Sequence, residues 1–144
     1  MSIKEEKLNR ISKNAIFFAG GVFLLIAANF LYLQTTDFIN NSVVVSGKVA
    51  RLNHGGHHVQ VEFDTQRGEH ISSSQSAFIS ANVGDTLPIR YRPDDPTHTS
   101  EIDRFMDIWD LPLVCFALGM VFLCSTLVDC LFWKRNLFER RSGK

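Results

Sequence analysis

Residues Ala15 to Leu33 read AIFFAGGVFLLIAANFLYL, inside a run without charge from Asn14 to Thr36. At roughly 1.5 Å per residue this stretch reaches about 28 Å, the thickness of bilayer hydrocarbon. A second uncharged stretch, Leu111 to Val128 (LPLVCFALGMVFLCSTLV), continues through Asp129 to Phe132 and Trp133. A soluble protein buries such helices on all sides, and a chain of 144 residues has too little other sequence for that. Both stretches therefore read as transmembrane helices. The zero net charge and 45% apolar content are averages over two apolar segments and one polar one.

The basic residues set the orientation. Lys4, Lys7, Arg10 and Lys13 precede the first span, and Lys134, Arg135, Arg140, Arg141 and Lys144 follow the second. Residues 1–14 carry +2, residues 133–144 carry +4, and residues 34–108 carry −4. The positive-inside rule then puts both termini in the cytoplasm and the middle segment outside, in a multi-pass inner-membrane protein. Tyr32 and Trp109 fall at the outer ends of the spans and Trp133 at the inner end, where amphipathic rings prefer the interface. A cleaved signal peptide fits the first span less well, because the apolar run is too long and no small-x-small cleavage site follows it. The expected division is a basic segment over 1–14, a span over 15–34, an outer β domain over 35–100, an interfacial helix over 101–110, a span over 111–132 and a basic tail over 133–144.

Inside lipid, close approach of small side chains is what lets helices associate. Gly20 with Ala27, Gly21 with Ala28, and Ala117 with Cys124 recur every seven residues and predict a packing seam between the spans, with Asn29 as an interhelical hydrogen-bonding group. Such faces also allow copies of the chain to associate. Cys115, Cys124 and Cys130 all lie in the second span, so the outer segment must fold without a disulfide.

Between the spans the period changes from 3.6 to 2. His57, Val59, Val61, Phe63 and Thr65 alternate with His58, Gln60, Glu62 and Asp64, as a half-buried antiparallel strand does. Val43, Val45, Gly47 and Val49 alternate upstream, with Asn53-His54-Gly55-Gly56 as the hairpin turn. Thr65-Gln66-Arg67-Gly68 predicts a second tight turn with Gly68 at positive φ, leading into Glu69 to Ser74. Thr86 to Arg92 forms a fourth strand, which Pro88 should place at an edge or leave paired on one side only at that residue, with Glu62 and Asp64 expected to face Arg90 and Arg92. Ser100 with Asp103 resembles a capping box, and Ile102, Phe105, Met106 and Trp109 recur at helical spacing, which predicts the interfacial helix. Pro112 then suits the first turn of the second span. The fold class expected is an α+β membrane protein, with two transmembrane helices flanking a small antiparallel β-barrel or β-meander domain.

The order of motifs resembles that of two-span bacterial membrane proteins in the family known as domain of unknown function thirty-five ninety-two. The matching residues are Gly47 and Val49, then Phe63, Thr65 and Gly68, then Gly84 after Val83, then Tyr91, Pro93 and Pro96. Arg92 departs from the pattern, standing where that family usually has Asp or Asn, and His57 stands where an aromatic is common. The resemblance implies this fold and topology, with those residues in structural roles, and no general activity.

No Gly-x-Ser-x-Gly, His-Glu-x-x-His, Cys-x-x-Cys or phosphate-binding glycine loop occurs, so neither an enzyme nor a cofactor is expected. The balanced charge of fifteen basic and fifteen acidic residues argues against a nucleic-acid partner. The one cluster of ligand-type residues is His54, His57 and His70, which a hairpin could bring toward a divalent metal, although surface histidines are the plainer reading. The expected partners are the lipid bilayer and a protein that meets the outer domain. Three readings follow: a non-enzymatic display module for protein interaction, an immunity protein against a membrane- or periplasm-acting toxin, and an envelope sensor of metal or pH through the His54–His58 loop.

Overall fold

A computed structural model describes residues 3–53, 58–77 and 80–142. The chain is α+β. Helix α1 (Ile3–Asn40) leads into strands β1 (Val43–Asn53), β2 (His58–Asp64), β3 (His70–Ser76) and β4 (Thr86–Tyr91). The short helix α2 (Pro96–Thr99), strand β5 (Glu101–Ile102) and helix α3 (Phe105–Ser142) follow. Leu8–Asn40 and Phe105–Arg135 are long and apolar enough to cross a membrane. The chain divides into two compact units, one made of the helix segments up to Phe30 and from Pro112, the other of Leu31–Leu111.

In the helical unit the two segments run antiparallel. Phe17 meets Phe122 edge-on at 5.3 Å between ring centroids. A Cβ on Gly21 would lie 2.9 Å from Leu123 and 3.1 Å from the Gly119 carbonyl, and one on Gly119 would lie 3.0 Å from Leu25. The closest approach is thus glycine against glycine, with leucines filling either side. This differs from the expected heptad seam. Gly20, Gly21, Ala27 and Ala28 are buried or half-buried, but Asn29, Ala117 and Cys124 are exposed. Spacing by seven selects one stripe of a helix, whereas Gly119 offers the smallest side chain in α3 two residues from Ala117, on another face.

In the other unit, α1 ends because its last carbonyls find side-chain partners. Asn41 Nδ2 donates to the Asp37 carbonyl (2.9 Å) and carboxylate (2.8 Å), and Ser42 Oγ and Arg90 Nη1 both donate to Ile39 O. The β-branched run Val43-Val44-Val45 then favours extended backbone. The sheet is antiparallel throughout, in the order β3-β2-β1-β4-β5. Its inner face carries Val49, Val59, Val61, Phe63, Leu87, Ile89 and Tyr91, packed with Ile102, Ala77 and Ala81. Each fully buried Val or Ile contributes on the order of 1.5–3 kcal/mol, and these residues are the core of the domain. Val49 pairs with Val61 but Arg51 pairs with Gln60, so Ala50 is an extra residue that forms a bulge.

The sheet curls. Strands β3 and β5 are opposite edges, yet Gln75 Nε2 donates to the Ser100 carbonyl (2.7 Å) and hydroxyl (3.0 Å), and Ser100 Oγ donates to Ser73 Oγ at 3.0 Å.

Three expectations are corrected. Residues 101–110 do not form a separate interfacial helix: Glu101–Ile102 is strand β5, because Ile102 completes the core opposite Ile89, and α3 starts at Phe105. Pro112 therefore lies inside α3 rather than in its first turn, where it removes one helical hydrogen bond to residue 108. Glu62 and Asp64 cannot face Arg90 and Arg92, since β1 lies between β2 and β4. Strand β4 is not at an edge, but Pro88 itself pairs in register with Ser46 of β1 alone, because β5 reaches only Ile89 and Arg90.

Candidate interaction surface

Alternation along β1, β2 and β3 gives the sheet a polar outer face. Register places Lys48 opposite Glu62 and Glu62 opposite Ser72, then Arg51 beside Gln60 and Ser74, then Asn53 beside His58 and Ser76. The polar groups engage one another: Gln60 Nε2 donates to Ser72 Oγ at 2.9 Å, and His58 Nδ1 and Ser76 Oγ share a hydrogen bond of 3.1 Å. His70 Nδ1 lies 2.8 Å from Asp64 Oδ1. That hydrogen bond, with the negative charges of Asp64 and Glu62 behind it, raises the His70 pKa above its ordinary value. The result is a surface of mixed charge and many donors and acceptors, suited to a polar protein contact.

Six of the motif residues meet at one end of the sheet. Thr65 receives a hydrogen bond from Glu69 N at its hydroxyl (3.0 Å) and donates its own N–H to Glu69 O (2.9 Å), while Gly68, at φ 82°, donates to Thr65 O (2.9 Å). The Tyr91 hydroxyl accepts from Gln66 N at 2.8 Å, and its ring lies 5.5 Å from that of Phe63. Pro93 and Pro96 line a shallow cleft with Thr65, Arg67, Glu69 and Tyr91. Gly47 and Val49 lie in mid-sheet, where a Cβ on Gly47 would come within 2.6 Å of Ile89 and 2.7 Å of Val61. Gly84, at φ 94°, donates to Val49 O (2.8 Å) in the turn before β4.

Of the three histidines considered for a metal, His54 and His57 lie outside the described residues, and His70 is engaged by Asp64. Among the described residues no group of three His, Cys, Asp or Glu side chains comes together to hold a metal ion. His98, far along the chain, pairs instead with Asp95, which caps α2; that contact holds the Asp95 carboxyl below its usual range.

Sequence reasoning missed two groups that fix the surface. Arg90 places Nε and Nη2 on the two oxygens of Asp103 (2.7 and 3.1 Å) and Nη1 on Ile39 O and Ser42 Oγ. These side chains are only 17% and 22% exposed, so the fork is a tie between β4, the end of α1 and the approach to α3 rather than a solvated ion pair. Arg92 pairs with Asp37 near the end of α1. Asp37 was the available signal: it follows an apolar stretch, and the next basic residue in sequence is Lys48. Glu101, the register partner of Arg90, has a raised pKa, chiefly through desolvation and then through the negative charges of Asp110 and Asp107.

No family model matches the chain, and no solved structure matches it. The chain is similar to "Immune protein Tsi4" of Pseudomonas aeruginosa, with 28% identity over 109 residues that cover 75% of this chain and 75% of that protein. A stretch of that length within 144 residues necessarily contains the whole sheet, from Val43 to Ile102.

Proposed function

We propose that this chain is a non-enzymatic immunity protein of the inner membrane. Two spans hold its β domain outside the cytoplasm, where the domain binds and neutralises a protein toxin. The observation that carries the reading is the similarity to an immune protein across the whole sheet. The mixed-charge outer face of β1, β2 and β3 is consistent with a protein ligand, and the two long apolar helices with a membrane anchor. The immunity reading replaces the broader display module by naming the class of partner. A metal sensor receives no support from His70, whose ring is already engaged.

The test is a competition experiment. A strain lacking both this gene and the toxin gene should grow normally alone and be outcompeted on a surface by its parent, which makes the toxin; the full-length chain supplied in trans should restore it. Equal fitness of mutant and parent in contact would defeat the immunity reading.

A further inference from the structure

In the helical unit, Arg10, Ile11, Asn14, Asp129, Cys130 and Trp133 line a cavity of about 150 Å³. The Arg10 guanidinium lies over the Trp133 ring, 4.9 Å from its centroid, and its Nη2 donates to the Asp129 backbone carbonyl at 3.1 Å. The Asp129 carboxylate is 4.0 Å from the same nitrogen, beyond hydrogen-bonding distance. A guanidinium carries five N–H donors in a fixed fork. Among the described residues, one of the five is committed to a protein acceptor, while the ring and the carbonyl hold the fork in place.

Charge around the cavity is unbalanced. Residues 10–14 and 129–135 contain Arg10, Lys13, Lys134 and Arg135 against the single carboxylate of Asp129. Lys13 and Arg135 lie over the Phe17 and Phe132 rings, so their charges too stay at the boundary between aromatic and polar surface. That boundary is where the apolar runs of both helices end. The volume corresponds to roughly five water molecules, room for a phosphate group.

We propose that this cavity binds the phosphate of an anionic phospholipid, with the open edge of the Arg10 guanidinium on the phosphate oxygens and Trp133 beneath it. The proposal rests on the membrane reading of the two helices. Asp129 opposes the anion and tunes its affinity downward; Arg10 supplies the bidentate geometry that a lysine lacks.

The experiment uses the full-length chain in a neutral detergent micelle. The chain has two tryptophans, so Trp109→Phe leaves Trp133 as the reporter, and its fluorescence is titrated with short-chain phosphatidylglycerol, phosphatidylcholine or inorganic phosphate. Phosphatidylglycerol should bind saturably and more tightly than phosphatidylcholine, with Arg10→Gln losing about fivefold in affinity, the share of one basic residue near an anionic lipid surface. Asp129→Asn should bind more tightly than the parent, a gain that misfolding cannot imitate. Equal binding of both lipids, an Arg10→Gln variant with undiminished preference, or Asp129→Asn without a gain would each overturn the site. Saturation by inorganic phosphate at the same concentration would overturn the lipid as its ligand. Carbonate washing of cell membranes separates the two failures: a chain released into the soluble fraction refutes the membrane reading itself, whereas a retained chain without lipid preference refutes only the site.

Discussion

Gly47 shows how a single residue decides a contact between three strands. Its missing side chain lets Ile89 on β4 and Val61 on β2 meet across β1, and a Cβ would fall within 2.7 Å of both. Gly47→Val should lower the unfolding free energy by about 1–3 kcal/mol, the usual cost of overpacking a filled core, measured by thermal or chemical denaturation of the full chain. His70 makes a different kind of prediction. Its pKa is raised in the folded chain by the hydrogen bond to Asp64, so the charged imidazole is favoured there. The stabilisation is fully present below the ordinary histidine pKa near 6.5 and is lost as pH rises through the raised folded value. A proton NMR titration should place the His70 midpoint above 6.5, and Asp64→Asn should bring it down; an unmoved midpoint would disprove the pairing.

At the scale of elements, periodicity made the long strands legible and left the short ones hidden. Val59, Val61 and Phe63 alternate with Gln60 and Glu62, so β2 could be read with its inner face correct. Strand β3 reads HISSSQS, and inward Ser73 and Gln75 do not differ in polarity from outward Ser72 and Ser74. The closure of the sheet through Gln75 and Ser100 was therefore invisible. The two residues of β5 are too few for any period, and Ile102 fits equally the helical spacing of Phe105 and Trp109. Among the helix-packing residues, the structure sets Gly20 and Gly21 apart. A Cβ on Gly20 meets Phe122 at an ordinary 3.6 Å, while one on Gly21 meets Leu123 at 2.9 Å and the Gly119 backbone at 3.1 Å. Gly20→Ala should leave the detergent-solubilised chain as heat-stable as the parent, and Gly21→Ala should lower its melting temperature. Equal behaviour of the two would contradict glycine-on-glycine packing.

For the whole molecule, a net charge of zero conceals a separation: +2 and +4 on the two terminal flanks, −4 on the segment between the apolar runs. The sheet that similarity to an immune protein spans is carried on the negative segment, between two helices able to cross a bilayer. The proposed function has the domain meet a toxin outside the cytoplasm, and that placement is the centre of the account. Alkaline phosphatase, active only in the periplasm, tests it most directly when fused after Asn82, in the turn before β4, and after Lys144. The account predicts activity from the Asn82 fusion and none from the Lys144 fusion; the reverse pattern, or activity from both, would contradict it.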